Sequence, residues 1–192
     1  MELKMELKEL LKKVRSYRRF DHNIKISREQ LVDIVETYRL LPSAMNYQPF
    51  KFYIVNDEET VNKLFEWTFW AGAVKDGKPI YEESPVAYIV LCFDTKIGGK
   101  CDWDAGITSL ALMERAVEMG FGGTILGSFV KDKFREIIGI DDSLEPNLVL
   151  ALGKPIENVI LTEPKNNNIN YYRDSEKNHY VPKRVLGEIL KN

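Results

Sequence analysis

Arginine and serine side chains are concentrated in one short segment, Val14-Arg15-Ser16-Tyr17-Arg18-Arg19-Phe20. Planar guanidinium groups bind phosphate oxygens through paired hydrogen bonds, and a serine hydroxyl adds a further donor and acceptor. The segment leaves a predicted helix, however, and a charged helix exit is usually just exposed to water. Arg15, Ser16 and Arg18 therefore suit an anion and a polyhydroxylated chain, but do not by themselves identify a ligand site.

Two further segments offer polar groups or accessible backbone. The loop Pro42-Ser43-Ala44-Met45-Asn46-Tyr47-Gln48-Pro49 carries a hydroxyl and two amides between prolines, although a structural turn explains it equally well. The run Gly120-Phe121-Gly122-Gly123-Thr124-Ile125-Leu126-Gly127-Ser128-Phe129 has few large side chains near its glycines. Main-chain N–H groups there can approach a planar ligand closely, and a tight turn is the alternative interpretation.

Other chemistries find less support in the residue pattern. The glycines of 120–127 resemble a dinucleotide-binding fingerprint, but they follow a helix and precede a strand, which reverses the required order. A hydrolase triad lacks its GxSxG elbow, and His22 and His179 lie in polar surroundings. Asp102 and Asp104 begin a predicted helix, where capping and the helix dipole explain two acids.

Hydrophobic periodicity sets these segments among alternating helices and strands. The apolar run Val86–Phe93 predicts a central strand covered on both faces, and the helix over 104–119 is apolar around most of its circumference, which predicts burial. Helices are predicted from Leu3 to Val14, from a Ser27–Gln30 capping box to Leu41, after Asp57, over 104–119 up to Gly120, over 131–138 up to Gly139, and over 185–190; the other strands are 50–55, 124–126 and 147–152.

The composition is that of a soluble protein with one domain, which we expect to span residues 1–192. Apolar residues make up 44% of the 192 positions and charged residues 29%. The net charge of -2 and the absence of a basic block argue against a nucleic-acid partner, and no stretch is apolar enough for a membrane span, so a cytoplasmic location is expected. Cys92 and Cys101 form no CxxC pair and have no nearby histidine, which predicts neither a disulfide framework nor a metal site.

Taken in order, the three segments resemble the nitroreductase family of FMN enzymes. The likeness also includes Trp70-Ala71-Gly72, the Pro85–Ile89 strand, Asp104-x-Gly106, and Tyr171-Tyr172-Arg173-Asp174 with Val181-Pro182-Lys183-Arg184. It implies an α+β fold, a three-layer α/β/α sandwich whose central sheet is largely antiparallel, whereas alternation alone would suggest a parallel sheet. It also implies a homodimer with flavin sites at its interface. The polar C-terminal tail, residues 165–192, is expected to wrap the partner subunit.

The resemblance assigns roles to individual residues. Arg15, Ser16 and Arg18 would contact the FMN phosphate, the ribityl chain and the pyrimidine edge of the ring. From the opposite subunit would come Pro42, Ser43, Ala44 and Asn46. The backbone N–H of Gly127, with its neighbours Leu126 and Ser128, would meet flavin N5.

One position departs from the family pattern. Family members usually carry arginine where this chain has Val14, and the tail cations Lys183 and Arg184 are the candidates to compensate for its loss. The substrate pocket is expected to include Phe69, Trp70 and Tyr81, although aromatic side chains beside a helix more often belong to the core.

The implied activity is that of a flavoprotein oxidoreductase. NADH or NADPH would give hydride to FMN N5 and leave, and an electron-poor acceptor such as a nitroaromatic or quinone would then be reduced there, in a ping-pong cycle. No side chain is expected to act as acid or base. The alternatives are a flavin-dependent reductive dehalogenase or flavin-degrading relative, for which the 71–83 loop is short, and a non-catalytic flavin-binding module.

Overall fold

A five-stranded sheet forms the centre of the fold in the computed structural model, which describes residues 6–97 and 102–191. β5 pairs with β3 on one side and with β4 and β1 on the other, and β2 extends the sheet beyond β3. Every pairing is antiparallel, which confirms the sheet type that the resemblance implied. The strands are β1 (Phe20–Asp21), β2 (Phe50–Val55), β3 (Ala87–Asp94), β4 (Gly122–Leu126) and β5 (Leu144–Pro155).

Helices cover both faces of this sheet. Residues of α2 and α4 pack in one apolar core, and residues of α3 and α5 pack in a second. The fold is thus the expected three-layer α+β sandwich. The helices are α1 (Leu7–Lys13), α2 (Arg28–Glu36), α3 (Glu58–Glu66), α4 (Asp102–Glu118), α5 (Lys131–Ile138) and α6 (Leu186–Ile189). None of the helices in the described ranges is long and apolar enough to cross a membrane.

β3 is the strand that holds the two cores together. Successive side chains of a strand point to opposite faces, so alternate residues of β3 enter different cores. All seven residues from Ala87 to Phe93 are buried, which confirms the prediction of a central strand. One core receives Ala87, Ile89, Leu91 and Phe93, and the other receives Tyr88, Val90 and Cys92.

Local signals fix several helix ends where the sequence predicts them. Ser27 Oγ accepts from Gln30 N at 3.2 Å, and Ser27 N donates to Gln30 Oε1 at 2.9 Å, which completes the capping box of α2. Asp57 caps α3. Gly120 and Gly139 adopt the left-handed backbone, at φ +83° and +66°, just after α4 and α5.

The C-terminal region forms a second, smaller sheet. Its strands are β6 (Val159–Thr162), β7 (Tyr172–Arg173) and β8 (His179–Pro182); β8 lies parallel to β6 and antiparallel to β7. Part of the 165–192 tail therefore docks on its own chain, next to the end of β5. The contact of this tail with a second subunit stays a prediction.

Two predictions about individual elements need amendment. The predicted burial of α4 holds for one face only in the single chain, because Trp103 is 71% exposed and Ile107 and Leu110 are more than 40% exposed. The first helix begins at Leu7, and the part of that prediction near Leu3 lies outside the described residues, as does Cys101.

Candidate functional site

The arginine-serine segment lies along the outer edge of β4. Ser16 makes a parallel bridge to Gly123, and Tyr17 N donates to the Gly123 carbonyl at 2.9 Å. A pocket of about 380 Å³ opens beside this junction, with walls from the segment, β4, α4 and the small C-terminal sheet. That volume is in the range of pockets that bind small molecules and cofactors.

The pocket collects positive charge without a carboxylate of its own. Arg15, Arg18 and Lys183 line it, and none of the described residues in its lining is Asp or Glu. Arg15 donates to Leu11 O at 2.7 Å, but its Nε is buried and has no hydrogen-bond partner among the described residues. Desolvation lowers the pKa of both Arg15 and Arg18, which means that burial disfavours their charged forms. A bound anion would offset this cost. The residues present therefore fit a phosphate group.

The structure separates the two candidate tail cations. Lys183 lines the pocket together with Val14, the position at which the family usually has arginine. Arg184 instead lies outside the pocket lining and pairs with Glu188 at 3.4 Å, one helical turn further along the chain. Of the two tail cations, Lys183 is the one that lines the pocket, and its compensation for Val14 stays a prediction.

Sequence reasoning did not find the side chains that support Arg18. Glu157 Oε2 accepts from the Arg18 backbone N at 2.9 Å, the Tyr171 ring lies 5.3 Å from the Arg18 guanidinium carbon, and His179 contacts the guanidinium. Tyr171 and His179 also line the pocket. About 140 to 160 positions of sequence separate Glu157 and His179 from Arg18, and no local pattern signals such a contact.

The loop 42–46 lies away from this pocket in the same chain. Asp104, which is buried at the start of α4, accepts from Ala44 N at 3.0 Å, whereas the nearer of the two α4 residues that line the pocket, Leu110, lies about 9 Å further along the helix. Met45 and Asn46 both have positive φ, and neither they nor Pro42 and Ser43 line the pocket. The loop is exposed at its tip, where Met45 is 84% accessible.

The glycines of 120–127 have different structural roles. A Cβ on Gly123 would lie 2.2 Å from the carbonyl oxygen of Ala151, and one on Gly122 would lie 2.9 Å from the Tyr17 ring. Packing within the chain thus requires glycine at both positions, whether or not a ligand binds nearby. Gly127, by contrast, is exposed just beyond β4, and a Cβ there would lie 3.7 Å from its nearest heavy atom, which is an ordinary contact. Its neighbour Leu126 is buried, and Ser128 is exposed.

The three aromatic pocket candidates lie in different places. Phe69 is 60% exposed, and its N–H donates to Ser128 O at 3.0 Å, which sets it beside the end of β4. Trp70 belongs to the core on the α3 side, where its Nε1 donates to Thr68 Oγ1 at 2.7 Å. The Tyr81 hydroxyl accepts from Asn62 of α3 at 2.6 Å. Neither Trp70 nor Tyr81 lines the 380 Å³ pocket.

Fold and site together define an α+β sandwich with a pocket lined by three cationic side chains beside its central sheet, and comparison with known proteins identifies the family. The chain belongs to the nitroreductase family. The family model, described as the nitroreductase family, matches residues 11–87. A relative from Methanothermobacter thermautotrophicus, provisionally named an NADH dehydrogenase/NAD(P)H nitroreductase, is 31% identical over 163 residues, which cover 81% of this chain and 80% of the relative.

Solved structures agree with this assignment. A nitroreductase family protein from Clostridium difficile 630 is 25% identical and superposes with a TM-score of 0.69, covering 97% of this chain and 98% of that one. A protein from Exiguobacterium sibiricum 255-15, provisionally called a nitroreductase and solved in complex with FMN, has a TM-score of 0.67 at 23% identity, with 80% of this chain and 90% of that one covered. The second comparison establishes a shared fold.

Proposed function

We propose that the chain is an FMN-dependent oxidoreductase that passes electrons from NADH or NADPH to an electron-poor acceptor such as a nitroaromatic or a quinone. The observation that carries this proposal is the pocket beside β4, which gathers Arg15, Arg18 and Lys183 and has no acid among the lining residues that the structure describes. The provisional names of the curated relatives and the FMN complex of a protein with the same fold support it.

Each part of the pocket has a role in this proposal. Arg15 and Lys183 would bind the phosphate, and the Ser16 hydroxyl would bind the ribityl chain. Arg18 would lie at the pyrimidine edge, where a nearby cation favours the electron-rich reduced ring. The redox chemistry is supplied by the isoalloxazine ring of FMN when it is bound. The exposed backbone at Gly127, three residues beyond the pocket residue Thr124, would donate its N–H to the ring.

The proposed active form is a homodimer. The loop with Ser43 and Asn46 does not line the pocket of its own chain, so a second copy would have to supply these side chains. Trp103, Ile107 and Leu110 lie at spacings of four and three residues on α4 and form an exposed apolar stripe that a partner would cover.

An Ile107→Asp variant should be monomeric in sedimentation analysis and should lose FMN. Val32→Asp, at the exposed Val32 of α2, is the control.

The decisive experiment is the visible absorption spectrum of the purified protein, followed by anaerobic addition of NADH or NADPH. Bound FMN should be bleached by at least one nicotinamide and restored by a nitroaromatic or a quinone. Absence of a flavin band even after FMN is added would refute the proposal. A bound flavin that neither nicotinamide reduces would favour a non-catalytic flavin-binding module.

A variant links this activity to the pocket. Arg18→Ala removes charged hydrogen bonds, each of which contributes about 1.5 to 3 kcal/mol, so the Kd for FMN should rise about tenfold to a hundredfold. Arg39→Ala is the matched control, because Arg39 is exposed and pairs with Glu36 outside the pocket. Equal FMN affinity in the two variants would remove Arg18 from the proposed site.

A further inference from the structure

Five side chains form a polar cluster in and behind the wall of the pocket, and we name it the Arg18 cluster: Arg18, Glu157, Tyr171, Arg173 and His179. Arg173 Nη2 lies 2.5 Å from Glu157 Oε1, and their side chains are only 8% and 1% exposed. His179, from β8, is 1% exposed. The cluster therefore joins the arginine-serine segment to the C-terminal sheet through three side chains that are almost completely buried.

The contact between Arg18 and His179 fixes the state of the imidazole. Arg18 Nη1 lies 3.3 Å from His179 Nε2, and Nη1 also donates to Ser16 O at 3.1 Å. A guanidinium only donates hydrogen bonds, so Nε2 must be the acceptor and must carry no proton. His179 is thus neutral, with its proton on Nδ1. That nitrogen is 4.0 Å from Glu157 Oε1 and has no hydrogen-bond partner among the described residues.

Burial opposes protonation of the imidazole, and the charges around it act in both directions. Arg18 and Arg173 face it as cations, and Glu157 is the single acid in the cluster, already engaged by Arg173 and by the Arg18 backbone. Tyr171 lies over the ring at 5.3 Å, and Arg15 and Lys183 add positive charge across the pocket. Burial, ahead of the two arginines, lowers the pKa of His179, while Glu157 acts in the opposite direction.

We propose that neutral His179 is a positioning residue for Arg18: it accepts from Nη1, so that the Nη2 and Nε edge of the guanidinium is presented to the anionic ligand of the pocket. Neither Nη2 nor Nε makes a hydrogen bond within the described part of the chain, so that edge is free to bind. Protonation of His179 replaces the acceptor with a donor and releases Arg18. The inference rests on the proposed function, because FMN is the ligand considered.

The direction in which the affinity for FMN changes with pH distinguishes a positioning role of His179 from simple electrostatic attraction. A new cation at His179 would strengthen the binding of an anion if charge alone mattered, whereas loss of the Arg18 position would weaken it. The phosphate of FMN also titrates near pH 6, so wild type must be compared with His179→Gln at each pH, because the titration of the ligand is common to both. Gln places an acceptor oxygen near the position of Nε2 and does not protonate.

The experiment measures the Kd for FMN by fluorescence quenching between pH 8 and pH 5 in three proteins. At pH 8, His179→Gln should match wild type, and His179→Leu, which lacks an acceptor, should bind about tenfold more weakly. As the pH falls, wild type should weaken relative to His179→Gln, and the ratio should approach the same factor as His179 becomes protonated. Wild-type affinity in His179→Leu, a pH-independent ratio, or relative strengthening of wild type in acid would each overturn the inference. His179→Gln keeps the comparison valid if His179→Leu does not fold.

A second readout does not depend on flavin. The chain has two histidines, so a His22→Gln background leaves His179 as the single imidazole signal in ¹⁵N NMR. The apoprotein should show the Nδ1–H tautomer, and adding Arg18→Ala should raise the pKa of His179 because it removes a neighbouring cation. An Nε2–H tautomer would overturn the inference. If wild type fails to bind FMN at pH 8, the proposed function is refuted but the inference about His179 is not. The NMR result then decides whether the hydrogen bond from Arg18 to His179 exists.

Discussion

Removal of the Glu157 carboxylate is expected to destabilise the protein strongly. Its two oxygens have separate partners, Arg173 Nη2 at 2.5 Å and the Arg18 backbone N at 2.9 Å, and the side chain is 1% exposed. Breaking a buried ion pair by deleting one partner costs about 3 to 5 kcal/mol, because the remaining charge stays buried without compensation. In Glu157→Ala, Arg173 would keep the carbonyl of Asp76 as its acceptor, at 2.8 Å. We therefore expect the lower part of this range.

The assay is urea unfolding of the apoprotein, followed by tryptophan fluorescence. With a slope of about 2 kcal/mol/M, a loss of about 3 kcal/mol lowers the midpoint by about 1.5 M. Glu59→Ala is the matched control, because Glu59 forms an exposed pair with Lys63 and should cost less than about 1 kcal/mol. Glu157→Gln keeps the shape and one acceptor oxygen, so it should unfold between the two. A Glu157→Ala midpoint equal to that of Glu59→Ala would refute the reasoning.

Three further predictions concern packing, pH and thiol chemistry. Gly123→Ala should lower the free energy of unfolding by about 1 to 3 kcal/mol, because its Cβ would lie 2.2 Å from a backbone oxygen. Gly127→Ala is the control and should leave the urea midpoint unchanged, because its Cβ would make only an ordinary contact. Burial lowers the pKa of His179, so below about pH 6.5 the unfolded chain binds a proton that the folded chain does not. The free energy of unfolding should therefore fall as the pH drops below about 6.5, by up to about 1.4 kcal/mol per pH unit. If the same slope between about pH 5 and 6.5 persists in His179→Gln, a group other than His179 causes it. Cys92 is buried and its pKa is raised to about 12, so in a Cys101→Ser background it should react with a thiol reagent only in urea; rapid labelling of the native protein would contradict its position.

Much of the fold follows from short-range signals in the sequence. The Ser27 capping box, the helix start after Asp57 and the helix end at Gly139 each depend on residues within one turn, and all lie where they were predicted. The uninterrupted apolar pattern of β3 was enough to predict a central strand. Such elements are predictable because the physical cause and the residues that show it are adjacent in the chain.

Elements that depend on distant partners were not predicted. β1 and β7 have two residues each, too few for any periodicity, and exist because β5 and β8 pair with them. β5 extends beyond the predicted 147–152 to Leu144–Pro155, past prolines that usually end a strand, because β3 and β1 supply partners there.

The site was predicted in part for the same reason. The sequence pointed to Arg15, Ser16 and Arg18, and the structure gathers them in one pocket with Lys183. It offered no indication of Glu157 or His179, because a polar residue in a polar stretch looks the same whether it is exposed or buried. The pairing of β5 with β1 brings Glu157 beside Arg18, and the C-terminal sheet brings His179 there.

The parallel bridge between Ser16 and Gly123 has a consequence for solubility. A strand edge with unpaired N–H and carbonyl groups can recruit another chain into an aggregate, and the start of β4 would be such an edge without Ser16 and Tyr17 against it. The residues available to a ligand thus also shield the sheet from intermolecular pairing. Substitutions in this segment should therefore be judged by the yield of soluble protein as well as by ligand affinity, since a loss of either can arise from the same few residues.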